Sequence, residues 1–460
     1  MLRWFFPFLS FLLYIVAPKD YSLGYNITLL VVFVLNFILL AGKHGYKLFS
    51  YTTLFFMTFF FMDFVYPIFI YPYDPTFILQ FRYSFSVDYI NKGTALCGLA
   101  FSMFVGGYVS KVKPLKSSIY ELQLKRYQAF TIVSYLVLLY NLYIIIPQLG
   151  TKYGEAAVPF QSGSLFVMLE CTLAMVICYT RRDVLKNSLH NFIHILRPHL
   201  IASGTFCMAS LMLGSREYVL VLTLLYIFLF TKYVRPLSFM KLCLGVVIGM
   251  IGLYYISQVR NYTGNQRAMS DGVVGEIFEY KSWQSNSVSS IWNLASDLII
   301  NNRNVYVGMQ YVDDPDHGYT LGVNYIPNLL SPVPFLPSAF STVFLGKPPV
   351  ECTSQQILTN YTRDDLGHSD LDYELGTNCV VDVYMGWGLI GVMLLFLMLG
   401  RVIRRLEISD NNLPILCIYV ILLTTVIFFC RSSFFGPVRN VVWSYLMCII
   451  MLRRYRMPEY

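Results

Sequence analysis

The sequence predicts an all-α fold: a polytopic helical membrane protein of about twelve spanning helices with one large loop on the outer side. Three observations predict it. Of 460 residues, 56% are hydrophobic and only 13% charged, a balance far from that of a soluble chain. The apolar residues are gathered into stretches of roughly the length that crosses a bilayer at about 1.5 Å per residue. Lysine and arginine alternate in density from one connecting segment to the next, as they do where chain segments alternate between two compartments.

Taken in order, spans are expected at 4–17, 22–41, 49–71, 93–110, 128–147, 163–180, 199–214, 217–231, 240–257, 378–400, 411–430 and 438–452. The first, behind Met1–Arg3, has the length of a signal peptide. It lacks a small-x-small site before Pro18 and is expected to be retained. With the N-terminus inside, the inner segments hold 21 Lys and Arg and the short outer ones seven. The remaining basic residues lie in the long loop, which is left out because long loops translocate largely regardless of charge. Both termini are therefore expected in the cytoplasm. Residues 1–257 form a transmembrane region of about nine helices, 258–377 the large outer loop with short helices, and 378–460 about three more helices.

The net charge of +8 belongs to the basic inner loops and carries no nucleic-acid signal. Eight cysteines, Cys97, Cys171, Cys178, Cys207, Cys243, Cys417, Cys430 and Cys448, fall in apolar runs, where a thiol acts as a small hydrophobe. Cys352 and Cys379 bracket the second half of the loop, and an exported loop admits a disulfide between them. No metal-ligand spacing and no nucleotide-cofactor motif occurs, so no cofactor is expected. Asn-x-Thr triplets at Asn26, Asn261 and Asn360 would suit a eukaryotic glycoprotein but are common by chance.

The loop is built to fold. It carries Trp283 and Trp292 and an amphipathic run over 287–301, with Ile291, Leu294, Leu298 and Ile299 at helical spacing. The proline-rich stretch 327–349 excludes a spanning helix. It either dips into the headgroup region as a lid or packs on the helix ends. About half of the 26 acidic residues lie in this loop.

Charged residues supply the candidates for chemistry. Arg216 sits in the run LMLGSREY over 211–218, at an outer turn between two spans. A guanidinium beside the free N–H groups of a helix start attracts phosphate or diphosphate; the alternative is an interfacial arginine paired with Glu217. Arg260 and Arg267, just past the ninth span, could add phosphate contacts or lie on the loop surface. Glu170 and Asp63 fall within spans, where an ionisable group is costly and marks a site unless it is a neutral or paired structural carboxyl. The loop also holds Asp313-Asp314-Pro315-Asp316-His317 and His368-Ser369-Asp370-Leu371-Asp372-Tyr373-Glu374. Each cluster could supply a general base, stay a solvated acidic face, or hold Ca²⁺ or Mg²⁺, although dedicated ligand spacing is missing. Extended backbone would put His368, Asp370, Asp372 and Glu374 on one side. The second cluster is favoured because it immediately precedes the tenth span.

Two stretches then carry a resemblance. The Gly214-Ser215-Arg216 turn between spans is one, and the other is 375–400, where Tyr384 and the series Gly386, Gly388 and Gly391 lead to Gly400 before basic residues. With the single dominant outer loop, the chain resembles the bacterial O-antigen polymerases, the Wzy class, over its full length in topology and at these two stretches in residues. Where the family often has glycine after the arginine, this chain has Glu217. The resemblance implies a GT-C-like glycosyltransferase of the inner membrane whose large loop is periplasmic. Its donor would be an undecaprenyl-diphosphate-linked glycan, and a polysaccharide chain-length regulator is an expected partner. Arg216, with Arg260 or Arg267, would then stabilise the leaving diphosphate. Asp370 or Asp372, with His368, would act as base or position the acceptor, and Glu217, Glu170 and His317 are further candidates. An O-antigen ligase would share the topology and the diphosphate site. A transporter or flippase of lipid-linked sugars would instead use mid-membrane charges such as Glu170 and Asp63.

Overall fold

A computed structural model describes residues 2–44, 49–76, 81, 83, 85–115, 120–148, 160–212, 215–238, 240–241, 244–245, 249, 292, 295–369, 371 and 374–454. Its longer helices, in chain order, are α1 (Leu2–Ile15), α2 (Leu23–His44), α3 (Tyr51–Phe59), α4 (Asp88–Tyr108), α5 (Leu124–Ile145), α6 (Phe160–Thr180) and α7 (Leu189–Met212). They continue as α8 (Glu217–Tyr233), α9 (Asn302–Asp313), α10 (Leu336–Leu345), α11 (Ser354–Asn360), α12 (Cys379–Glu407), α13 (Leu413–Cys430) and α14 (Val438–Met451). Five of these, α2, α5, α6, α12 and α13, are long and apolar enough to cross a membrane, which makes this a helical membrane protein. Most of the expected ninth span, 240–257, lies outside the described residues, as does 287–294 apart from Trp292 in the amphipathic run at 287–301. The end of that run forms a short helix, Ser296–Ile299.

The chain divides into two compact units, each drawing on separate parts of the sequence. One comprises Met1–Leu115, Ala295–Ile408 and Val426–Arg439; the other Lys116–Leu294, Ser409–Thr425 and Asn440–Tyr460.

In the first unit α4 and α12 approach so closely that side chains are excluded between them. A Cβ on Gly400 would sit 2.0 Å from the Phe104 carbonyl oxygen, and one on Gly107 would sit 2.1 Å from that of Leu397. Small residues that let backbones meet are the usual basis of helix association in a medium as apolar as the side chains themselves. Phe33 stacks at 4.7 Å on Phe56 and packs at 4.4 Å against both Phe64 and Phe101. Buried polar pins cross the helices: Asn36 Nδ2 donates to Ser102 Oγ at 3.0 Å, and Asn26 Nδ2 to Asn91 Oδ1 at 2.7 Å. After α3 the backbone widens into two π-helical turns, Phe60–Phe64 and Tyr66–Ile70. The glycine series in α12 has a structural reason. At Trp387 and Gly388 the helix breaks, Gly388 taking φ 60° and ψ −155°, a conformation that a side chain would forbid.

The second unit packs α5 to α8 together. Thr172 and Ser444 hydroxyls lie 2.7 Å apart, Phe228 and Tyr419 rings meet at 5.9 Å, and Lys232 pairs with Asp410 at 3.0 Å. A small antiparallel ribbon pairs β1 (Tyr120–Leu122) with β2 (Leu452–Arg454), Tyr120 opposite Arg454.

The disulfide admitted between Cys352 and Cys379 does not form: both thiols are free and buried. Cys379 opens α12 inside the helical core, whereas Cys352 closes a turn over the Pro348 carbonyl.

Candidate functional site

The first acidic cluster of the loop becomes a built site in the first unit. α9 ends at Asp313 and hands the chain to a turn in which Asp314 Oδ1 accepts from the Asp316 N–H at 3.1 Å. This local bond is what a short carboxylate side chain offers a turn. It sets His317 back over the last turn of α9, where its ring stacks on Tyr311 at 4.5 Å. α11 runs into a π-helical turn, Tyr361–Asp365, and brings the other half. The Tyr361 ring meets His317 edge-on at 5.2 Å, its hydroxyl donates to Asp314 Oδ2 at 2.9 Å, and Asp365 Oδ2 lies 3.4 Å from His317 Nε2. Lys92, in α4, approaches Asp313 at 3.5 Å.

The electrostatics follow from these bonds. The Asp316 N–H and then the Tyr361 hydroxyl hold the Asp314 carboxyl below the usual carboxylate range. Burial, reinforced by the Asp314 hydrogen bond and charge, pushes the Tyr361 phenol up, so it stays a donor at neutral pH. His317 keeps its side chain 26% exposed. An imidazole oriented by a carboxylate, open to solvent and framed by two aromatic rings can take a proton from a hydroxyl resting against those rings.

The second cluster is described only in part, because Asp370 and Asp372 lie outside the described residues. His368 packs edge-on against Tyr83 at 5.0 Å. The guanidinium of buried Arg303 lies 5.9 Å from the other partner of that contact, the Tyr83 ring. Arg303 Nε donates to the Tyr83 carbonyl at 3.3 Å and Nη1 to Thr362 Oγ1 at 3.4 Å. Leu371 and Leu375 are buried with Tyr83, and Glu374 is exposed and bonded to Gln355.

Arg216 stands at the N-cap of α8, in the second unit, with its main chain accepting from Leu220 N–H at 3.1 Å. It is half-buried, and Glu217 follows it, exposed, in the first helical turn. Arg260 and Arg267 lie outside the described residues.

No family model, curated protein or solved structure matches this chain.

The two carboxyls expected within spans, Glu170 and Asp63, are partnered differently. In the second unit Glu170 Oε1 accepts from Ser134 Oγ at 2.6 Å, and Oε2 lies 2.9 Å from His199 Nδ1, whose Nε2 is 2.7 Å from the Tyr127 hydroxyl. With Nδ1 protonated toward the carboxylate, Tyr127 donates to Nε2. All four residues are buried. In the first unit Asp63 Oδ1 accepts from Asn378 Nδ2 at 2.9 Å.

Several residues that matter escaped the sequence reading. Asp382 is wholly buried in the first turn of α12 and accepts from Asn324, Ser433 and the Phe434 N–H. Its signal was the one applied to Glu170 and Asp63, an acid inside an apolar run. Arg303 stands in an unbroken polar run, Asn301 to Asn304, all buried at the start of α9. Tyr311, Tyr361 and Asp365 gave no signal, since only the fold brings them to His317. Among the described residues no group of three or more His, Cys, Asp and Glu is arranged to hold a metal.

Proposed function

We propose that this protein is a membrane glycosyltransferase that joins lipid-linked oligosaccharide repeat units, acting as an O-antigen polymerase in the bacterial inner membrane with its loop in the periplasm. The observation that carries the reading is the His317–Asp365 pair at 3.4 Å, framed by Tyr311 and Tyr361. Aromatic faces suit the C–H faces of sugar rings, and carboxylates and amides suit their hydroxyls. In the reaction, Asp365 fixes the imidazole through Nε2, and Nδ1 takes the proton of an acceptor hydroxyl. That oxygen bonds to the anomeric carbon of the donor while the carbon–oxygen bond to the carrier diphosphate breaks, and the diphosphate leaves with the electron pair. Arg216, in the second unit, stands at a helix start, a position in which a guanidinium attracts a phosphate. His368, with Asp370 and Asp372, would position the acceptor glycan.

The test is elongation by the purified full chain in liposomes supplied with a synthetic polyprenyl-diphosphate oligosaccharide. A ladder of longer glycans supports the proposal, and its absence in a preparation that binds the substrate refutes it. Transfer to lipid A core without elongation would identify a ligase. The buried Glu170–His199–Tyr127 chain favours a second reading, a transporter of lipid-linked sugars, since carboxylate–histidine chains inside membranes serve as proton relays. In that case the substrate changes leaflet at constant length.

A further inference from the structure

We propose that residues 319–346 are seated in the lipid bilayer at the headgroup–acyl boundary beside α12, as an interfacial element of the loop. This stretch contains no Asp, Glu, Lys, Arg or His, although charged residues flank it on both sides at Asp316, His317 and Lys347. A loop surrounded by water has no reason to exclude charge over such a length, whereas a segment in contact with acyl chains does.

The backbone agrees. Pro327, Pro332, Pro334 and Pro337 have no N–H to satisfy. The amides of Ser331, Val333, Leu336, Ala339 and Lys347 donate to carbonyls within the same segment. Lipid requires internal satisfaction of this kind, since no water is there to supply partners. α10 has 10 residues, about 15 Å, half of what a span needs. It therefore lies in the boundary and does not cross.

Two strained positions give the segment its outward face. Besides Asn187, the non-glycine residues with positive φ among the described ones are Leu321 (φ 51°) and Phe335 (φ 65°). Left-handed backbone is costly for bulky side chains. Yet Leu321 is 80% exposed and Phe335 87% exposed, and on α10 Phe344 is 71% exposed beside Val343. A folded chain that strains its backbone to push apolar side chains outward gains nothing in water. Immersion of those side chains in lipid accounts for both facts.

The occupant is identified by continuity. Trp387 of α12 packs under the segment, its ring 5.0 Å from Tyr325 and its Nε1 3.1 Å from where a Cβ on Gly322 would stand. From Trp387 an exposed apolar stripe, Ile390, Leu394 and Met398, runs down α12 at helical spacing. That stripe is the outer face of a membrane-crossing helix, and Trp387 stands where interfacial aromatics gather. The exposed residues of 319–346 extend the same surface. Lys347, exposed at its far end, can reach lipid phosphates. The inference is independent of the reaction proposed above.

The test uses the full chain in liposomes of phosphatidylethanolamine and phosphatidylglycerol, with a nitroxide on Phe335→Cys, Phe344→Cys or the control Glu351→Cys. The unsubstituted protein, treated identically, gives the background from the native thiols. The expected result is that dissolved oxygen relaxes the labels at 335 and 344 several-fold more effectively than an aqueous nickel chelate, with the order reversed at 351. Val343→Cys replaces Phe335→Cys if the strained position does not tolerate the change. Free access of the nickel chelate to 335 and 344 would overturn the proposal. So would exclusion of both reagents together with a concentration-dependent dimer, which would make the surface a contact between copies of this chain.

Discussion

Asp382 Oδ1 accepts a 2.8 Å hydrogen bond from Asn324 Nδ2, tying the first turn of α12 to the loop that precedes it. The same carboxylate receives Ser433 Oγ at 2.9 Å and the Phe434 N–H at 2.8 Å through Oδ2. One buried side chain thus holds three segments of the first unit. Replacing Asp382 with Ala removes the shared side-chain acceptor of all three donors from the core. The expected loss is about 3 kcal/mol or more, read as a lower Tm of the purified protein. Asp382→Asn should lose less, because it keeps an acceptor for Asn324.

His317 is expected to govern rate and not folding. His317→Ala and Asp365→Asn should slow chain extension by about 10²-fold or more, the usual contribution of an oriented acid–base group, at unchanged protein level in the membrane. Glycan ladders from cells carrying each variant measure it. Normal ladders in both would move the chemistry to Asp370, Asp372 or Asp316.

Arg216→Ala is expected to abolish extension without reducing membrane insertion, and Arg216→Lys to restore a fraction, since a lysine keeps charge but loses the planar fork. Glycan length distribution against immunoblotted protein separates the two effects. A normal ladder removes Arg216 from the site.

The close approach of α4 and α12 predicts a packing phenotype. Gly400→Ala and Gly107→Ala each force backbone apart and should cost about 2 kcal/mol or more. Gly204→Ala in α7, where nothing lies within 4 Å, should be neutral or mildly stabilising. Thermal unfolding of the three variants in one detergent compares them directly.

Asp314 predicts the acid response of the loop. Its carboxyl is held below the usual range by the Asp316 N–H and the Tyr361 hydroxyl. Its contribution is therefore complete above the unfolded carboxylate pKa, about 3.9, and is lost as pH falls through the lower folded value. Hydrogen exchange of 314–317 should be slower in the wild type than in Asp314→Asn at neutral pH. The difference should vanish below that range, and a difference independent of pH would contradict the assignment.

The helical class and the apolar segments of this protein were legible in the sequence, because hydrophobic length and charge exclusion are properties of contiguous residues. The same local reasoning placed Arg216 at a helix start and named the Asp313–His317 cluster as a candidate, but it favoured the second cluster, 368–374. The glycines from Gly386 to Gly400 entered only through the resemblance, which does not say that Gly388 breaks a helix while Gly400 meets a carbonyl. Tertiary structure alone paired His317 with Asp365, set Tyr361 against Asp314, joined Glu170 to His199, and left Cys352 and Cys379 apart. Hydrogen bonds and ring contacts act over a few ångströms between residues far apart in the chain, and no periodicity along the sequence records which of them will meet.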